Sequence, residues 1–266
     1  MGAYIDAFMH ATAWAMERPA PYGTFHLTYT FVGLAVSILL AWRLRNLSDK
    51  GNRIFLTVCG IILAVFELYK QLFHVYCVTD HVYAWWIFPF QLCSIPMYLC
   101  LIAPWLKNRK LQRAMYCFMM TYNLLGGAMA FIEPSGIVLT YWTLTLHAFT
   151  WHMSLIFIGI YLFLSKRGGL SKEDFVLSTK LFGVLCIIAF ALNLAFRKVS
   201  NGEVNNFYIG PTQSPLIIIK QISQMCGWYV GTILYIPAVI LGAFLICLLL
   251  RRIAKAIHKE KELATV

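Results

Sequence analysis

A cysteine flanked by two prolines is the strongest candidate for a reactive residue in this sequence. Cys93 lies in the nonapeptide Phe88–Pro96, which places an amide, a thiol and a hydroxyl within four positions of an otherwise apolar stretch. Pro96 has no N–H, so in a helix the carbonyl of Leu92 loses its partner beside the thiol. Such polar groups are tolerated at membrane depth only where protein or water receives them. The stretch is therefore our first candidate for a site, and an inert buried cysteine is the alternative.

Two histidines further along the chain could activate this thiol. A cysteine becomes a good nucleophile when a histidine takes its proton. His147 and His152 are five residues apart, about 140° around a helix, which does not suit two ligands of one metal ion. Cys93 and His152 lie on adjacent apolar segments at comparable depth, so we expect that they can meet. The alternative is that each histidine is a hydrogen-bonded residue of the core.

The composition places all these residues in a membrane protein. The chain is 60% hydrophobic and only 12% charged, whereas a soluble domain carries about 25% charged residues. The net charge of +11 does not indicate a nucleic-acid partner, because the basic residues form short clusters between apolar segments. None of the eight cysteines has CxxC spacing, so we expect neither a metal site nor a cofactor.

About twenty apolar residues span a bilayer as a helix, and the sequence contains seven such segments. We therefore predict an all-α integral membrane protein, a seven-transmembrane-helix bundle that forms one polytopic domain over residues 1–266. The predicted spans are Thr24–Trp42, Ile54–His74, Trp85–Trp105, Leu111–Phe131, Tyr141–Leu164, Phe175–Phe196 and Cys226–Leu250.

The distribution of positive charge predicts the orientation of these spans. Sixteen lysine and arginine residues fall in the first, third and fifth loops and the C-terminal tail, against four on the other side. Because positively charged loops stay in the cytoplasm, we expect the N-terminus outside and the C-terminus in the cytoplasm of a multi-pass protein of the cell membrane.

With this topology, polar residues concentrate in the outer half of the membrane. Ionisable groups in a membrane usually face the bundle interior or a cavity, so we expect a polar cavity that opens toward the outer leaflet and binds substrate. Its candidate lining residues are His26, Gln91, Asn123, His147 and Asn206. The alternative is that each group hydrogen-bonds a neighbouring helix.

Glu67 and Lys70 lie on one face of the second predicted span. An unpaired charge in lipid is costly, so we favour an internal salt bridge over a proton or ion relay. We read the small-residue stretch Gly126–Ala130 as a site of close helix packing.

Several blocks, in their order and spacing, resemble a known family. FPFQLCS around Cys93, LLGGAMAFIEP from Leu124 and TLHAFTWHMSLI around His152 are similar to the YwaF family of bacterial integral membrane proteins. That family is in turn similar to transmembrane protein 164 of eukaryotes, a phospholipid acyltransferase. The resemblance implies acyl transfer between membrane phospholipids through a thioester, with Cys93 as nucleophile and His152 as base. Gln91 stands where a histidine often precedes Leu-Cys in the family.

Two other classes of function stay open at the level of sequence. One is a small ion-coupled transporter that uses the outer cavity as a vestibule and Glu67 with Lys70 as coupling groups. The other is a non-catalytic membrane protein that binds a lipid. The donors for an oxyanion in the enzyme hypothesis are Gln91, Asn123 or a backbone N–H, and the sequence does not rank them.

Overall fold

Helices form nearly all the regular structure of the chain. A computed structural model describes residues 2–212 and 216–263, and there the only bridge outside helices joins Ala15 and Tyr141. The α-helices are α1 (Gly2–Ala11), α2 (Thr24–Leu44), α3 (Asp49–Phe73), α4 (Ile95–Ile102), α5 (Arg109–Phe118), α6 (Leu124–Ile132), α7 (Trp142–Leu164), α8 (Lys172–Phe196), α9 (Ile217–Cys226) and α10 (Trp228–Leu263).

Six helical segments of the described chain are long and apolar enough to cross a membrane. They are Thr24–Leu44, Asp49–Val78, Arg109–Ile132, Trp142–Leu164, Lys172–Phe196 and Trp228–Ile257. Two of them include π-helical turns, His74–Val78 after α3 and Met119–Asn123 between α5 and α6. The all-helical membrane class predicted from the sequence is confirmed.

The third predicted span, Trp85–Trp105, is not a continuous helix, and the predicted count of seven spanning helices is not confirmed. Only Leu92–Trp105 is helical without a break, and it is shorter than the six long segments. Phe88 precedes Pro89 and adopts extended geometry with φ −48° and ψ 132°, because a proline clashes with a helical residue before it. Because of this proline, the continuous helix begins only just before Cys93.

The broken segment runs antiparallel along α3. At one end the Gln71 side chain donates to the Ile87 carbonyl at 2.8 Å. At the other end the Trp105 indole donates to the Thr57 hydroxyl at 3.0 Å. Thr57 and Gln71 are about 21 Å apart along a helix that rises 1.5 Å per residue. The segment thus covers most of the length of α3.

Helix α7 lies at the centre of the bundle. It packs against α2, α6 and the π-helical turn Met119–Asn123, and Phe149, Trp151 and Leu155 are buried along it. Most apolar side chains of α2, such as Phe31 and Leu39, are exposed instead, as expected of a helix that faces lipid. Residues on α7 are therefore positioned more rigidly than those on α2.

Candidate functional site

The thiol of Cys93 lies in the first turn of the short helical segment. Leu92–Ser94 form a 3-10 turn that leads directly into α4. The first N–H groups of a helix have no acceptor within the helix, and this end favours negative charge. All eight cysteines are free, and Cys93 is the one on which the polar contacts described below converge.

Two neighbouring helices hold the backbone on either side of the thiol. The Asn123 side chain donates to the Leu92 carbonyl at 3.1 Å, and the Trp151 indole donates to the Cys93 carbonyl at 3.0 Å. The Leu92 carbonyl is the one that Pro96 deprives of a helical N–H. Asn123 ends the π-helical turn and is buried. The peptide that carries the thiol is thus fixed from two sides.

Gln91 connects the same peptide to the polar segment after α8. Its amide donates to the Asn205 carbonyl at 3.1 Å and accepts from the Phe207 N–H at 2.9 Å. Asn193, near the end of α8, binds the Asn206 backbone in the same way, at 3.1 and 2.6 Å. Two amide side chains therefore hold the turn Asn206–Tyr208 over the beginning of the short helix.

This turn is strained. Phe207 and Tyr208 have φ of 56° and 55°, a left-handed geometry that costs about 1–2 kcal/mol for each non-glycine residue. Such strain persists only where the surroundings over-determine the conformation, and it clusters at functional sites. The side chains of Gln91 and Asn193 supply that constraint.

Asn206 itself has a buried side chain without a partner. The residue is fully buried, and neither its Oδ1 nor its Nδ2 has a hydrogen-bond partner in the described chain. A buried amide without partners costs about 1–3 kcal/mol per group. Asn206, predicted to bind substrate, therefore retains both a donor and an acceptor for a ligand.

Tyr208 of the strained turn was not predicted from the sequence as a site residue, and it follows Phe207, whose N–H Gln91 binds. Burial, with a smaller contribution from Cys93, raises the pKa of Tyr208 to about 12. Its hydroxyl therefore stays protonated at neutral pH and can donate a hydrogen bond.

Glu67 and Lys70 form the predicted salt bridge, with 2.8 Å between Lys70 Nζ and Glu67 Oε1. Glu67 is buried and also accepts from Gln71 at 2.6 Å. The Lys70 ammonium lies 6.0 Å from the centre of the Trp151 ring, and the Trp151 indole binds the Cys93 carbonyl. The ion pair therefore neighbours the tryptophan that holds the thiol peptide.

Neither histidine of α7 makes a contact with the Cys93 thiol in the described chain. His147 lies 2.9 Å by its Nε2 from the Phe66 carbonyl and stacks on Trp151. His152 lies 2.7 Å by its Nδ1 from the Ala148 carbonyl. Because a carbonyl can only accept, Nδ1 of His152 must donate, and a neutral ring then has an unprotonated Nε2. His152 therefore carries a basic nitrogen one residue from the indole that binds the thiol peptide.

His26 lies apart from this group. It is buried among aromatic rings, where it stacks on Phe131 and meets Phe149 edge to face. Its Nδ1 accepts from the Tyr22 N–H at 2.9 Å. No contact joins it to the Cys93 peptide, so the structure does not bring His26 together with the other site residues.

A cavity of about 940 Å³ lies at the other end of the bundle from Cys93, beside Asp49 and Trp105. No group of three or more histidine, cysteine or acidic side chains that could hold a metal ion occurs in residues 2–212 and 216–263.

Six apolar segments of spanning length define a multi-pass membrane protein. The model of the TMEM164 family matches residues 21–257, and the chain belongs to that family. Comparison with curated proteins and with solved structures found no significant match.

Proposed function

We propose that the protein is a membrane-embedded lipid-modifying enzyme that transfers acyl chains between phospholipids through a thioester on Cys93. The observation that carries the proposal is the fixation of the peptide around the thiol, where Asn123 and Trp151 bind successive carbonyls. An inert core cysteine needs no such positioning, whereas a nucleophile must be held within reach of its substrate. Membership of the TMEM164 family and the resemblance around Cys93 support it.

The reaction begins with the thiolate of Cys93 attacking the carbonyl carbon of a phospholipid ester. A C–S bond forms, the ester C–O bond breaks, and a lysophospholipid leaves. A hydroxyl of a second lysophospholipid then attacks the thioester, which forms a new ester and returns the thiol. If water attacks instead, the products are a fatty acid and the free enzyme, and the protein is a hydrolase.

The base in this scheme is His152. Its Nε2 is the nitrogen left unprotonated by the hydrogen bond at Nδ1, so it can take the thiol proton and return it to the leaving oxygen. No contact joins this nitrogen to the thiol, so the scheme requires a side-chain movement when substrate binds.

Oxyanion stabilisation has two sources in this arrangement. The N–H groups of Leu92 and Cys93 begin a helix, where backbone donors are available. The Tyr208 hydroxyl, which stays protonated, can donate from the strained turn. The buried amide of Asn206, together with Gln91, Asn123 and His147, contributes to substrate binding in this proposal.

The proposal includes a seven-pass topology with the N-terminus outside. Supporting this, Ile87 and Trp105 bind α3 at Gln71 and Thr57, about 21 Å apart along the helix, as expected of a segment that crosses the membrane beside α3. Cys93 then lies in the outer half of the membrane and takes acyl chains from the outer leaflet of the cell membrane.

The test is transfer of acyl chains by the purified protein in phospholipid vesicles. An isotope-labelled lysophospholipid is added, and mass spectrometry follows labelled diacyl product for the wild type, Cys93→Ala and the matched control Cys59→Ala, another half-buried cysteine. We expect product with wild type and control and none with Cys93→Ala. Equal product from all three proteins would contradict the assignment of Cys93 as the nucleophile. If no product formed with any of the head groups tested, the proposal that the protein is an enzyme would be contradicted.

A further inference from the structure

One cavity of the described chain has a strongly basic lining. About 940 Å³ in volume, it lies where α3, α5 and α8 begin, beside Trp105 at the end of the short helical segment. Its basic lining residues are Arg53, Lys107, Arg109, Arg113, Lys166 and Arg167. The only carboxylate in the lining is Asp49. The cavity is therefore an electropositive depression and not merely a gap between helices.

Ion pairs neutralise only two of these six cations. Arg113 binds Asp174 through two hydrogen bonds of 3.0 and 2.8 Å, and Arg167 binds Asp49 at 2.6 Å. In the described chain Arg53, Lys107 and Lys166 have no carboxylate within salt-bridge distance, and Arg109 donates to the neutral Gln112. Four positive charges thus line one cavity without forming an ion pair in the described chain.

The helix ends around the cavity add to its preference for an anion. Ser48, Asn108 and Ser171 cap the N-termini of α3, α5 and α8 with their side chains. A helix N-terminus favours negative charge, yet α5 begins with Arg109 and Lys110 and has no acidic residue in its first turn. A bound anion would relieve that unfavourable placement.

The inner wall of the cavity leaves one buried donor unused. Asn52 and Gln112 are buried there, but their side-chain amides already bond Tyr116, Tyr161, Ala103 and Arg109. The Nε–H of Arg167 is buried without an acceptor in the described chain. This N–H is a donor that the protein leaves for a ligand, and a phosphate oxygen is a strong acceptor for arginine.

We propose that this cavity binds a phosphate group, carried by an anionic lipid head group or by a soluble phosphate ester. Trp105 lies exposed at its rim with the Arg53 guanidinium 5.8 Å from its ring. The site is distinct from the Cys93 site, because Leu92–Trp105 separates them by about 20 Å. The proposal therefore does not depend on acyl transfer.

The competing explanation is that these cations only mark the cytoplasmic side of the membrane. Arg43 and Arg45 provide the matched control, since they end α2 on the same side of the bundle without lining the cavity. General surface attraction would involve them as much as Arg53 and Lys107, whereas a site in the cavity would not.

The experiment compares the wild type, the double variant Arg53→Gln/Lys107→Gln and the double variant Arg43→Gln/Arg45→Gln. Native mass spectrometry counts phosphatidylglycerol and phosphatidylcholine bound to each protein, and titration calorimetry measures inorganic pyrophosphate. Size-exclusion chromatography and the melting temperature check that each variant is folded. The replaced cavity residues form no ion pair in the described chain, so we expect both variants to fold.

We expect the wild type to bind phosphatidylglycerol more tightly than phosphatidylcholine, or to bind pyrophosphate. Neutralising the two cavity cations should weaken that binding about tenfold or more, and the control should change it less than about twofold. If the cavity variant loses binding of the lipid alone, the site binds a lipid head group. If it loses binding of pyrophosphate alone, the site binds a soluble phosphate ester. Equal weakening of anion binding by the two double variants would overturn the proposal. A wild type that binds phosphatidylglycerol no more tightly than phosphatidylcholine and does not bind pyrophosphate would overturn it too.

Discussion

At the scale of single residues, the peptide around Cys93 shows how one proline shapes a site. Pro96 removes the N–H that would bind the Leu92 carbonyl, and this consequence can be predicted from the sequence alone. The partner that replaces it, Asn123, could not be predicted, because its orientation depends on the π-helical turn Met119–Asn123. Such turns are rare and have no reliable sequence pattern, although they often mark functional sites.

The first prediction concerns the indole that binds the Cys93 carbonyl. Trp151→Phe keeps an aromatic ring in the core but removes the N–H that donates at 3.0 Å. We expect the free energy of unfolding to fall by about 1–3 kcal/mol, since a carbonyl loses its partner, and acyl transfer to fall further than stability explains. Denaturation and the vesicle assay measure the two effects. Trp142→Phe, on the same helix, is the control, and equal activity of the two variants would contradict the positioning role.

The second prediction separates two predicted site histidines. His152→Gln should lower acyl transfer by about 100-fold or more, because a general base contributes about that factor. His26→Gln should leave the rate nearly unchanged, because His26 lies among Phe131 and Phe149, apart from the thiol. Initial rates of labelled product decide between them. A larger loss with His26→Gln would place the site elsewhere.

At the scale of helices, the main departure from the sequence prediction is the broken third segment. Hydrophobicity predicted an apolar span over Trp85–Trp105, but the continuous helix begins only at Leu92. Hydropathy counts apolar residues and does not register that Pro89 forces Phe88 out of helical geometry. The strained turn at Phe207 and Tyr208 escaped prediction for a related reason, because it depends on Gln91 and Asn193, which are distant in sequence.

The third prediction tests the close packing of α6 on α7. A Cβ atom at Gly127 would lie 3.0 Å from the His152 carbonyl oxygen, whereas one at Gly126 would meet nothing within 4 Å. Both residues are helical, so alanine gains up to about 1 kcal/mol of helix propensity at either position. We therefore expect Gly126→Ala to raise the melting temperature and Gly127→Ala to lower it. A stabilising Gly127→Ala would show that α6 and α7 are less tightly packed than described.

At the scale of the whole molecule, two groups of polar residues lie at different ends of the bundle. The Cys93 group, with its strained turn, lies at the end of the bundle where α3 finishes, and the basic cavity lies where α3 begins. The charge pattern of the loops predicted this asymmetry from the sequence. It could not show that the basic residues line a cavity, because the lining residues come from three separate stretches of the chain.

The fourth prediction concerns the number of crossings. If the broken segment crosses the membrane, the N- and C-termini lie on opposite sides, whereas six crossings would place them on the same side. We expect green fluorescent protein to fluoresce when fused after the C-terminus, and alkaline phosphatase to be active when fused at the N-terminus or after Asn201. An N-terminal fusion on the cytoplasmic side would contradict the seven-pass topology.

The most direct test of the central claim is to find the acyl group on the enzyme. The protein is incubated with a phospholipid donor in the absence of acceptor, quenched in acid and digested, and the peptide that contains Cys93 is weighed by mass spectrometry. We expect a mass increase of one acyl chain on Cys93, removed by hydroxylamine, and no such adduct on Cys59. Product formation with no acyl group on Cys93, and with full activity in Cys93→Ala, would contradict the central claim.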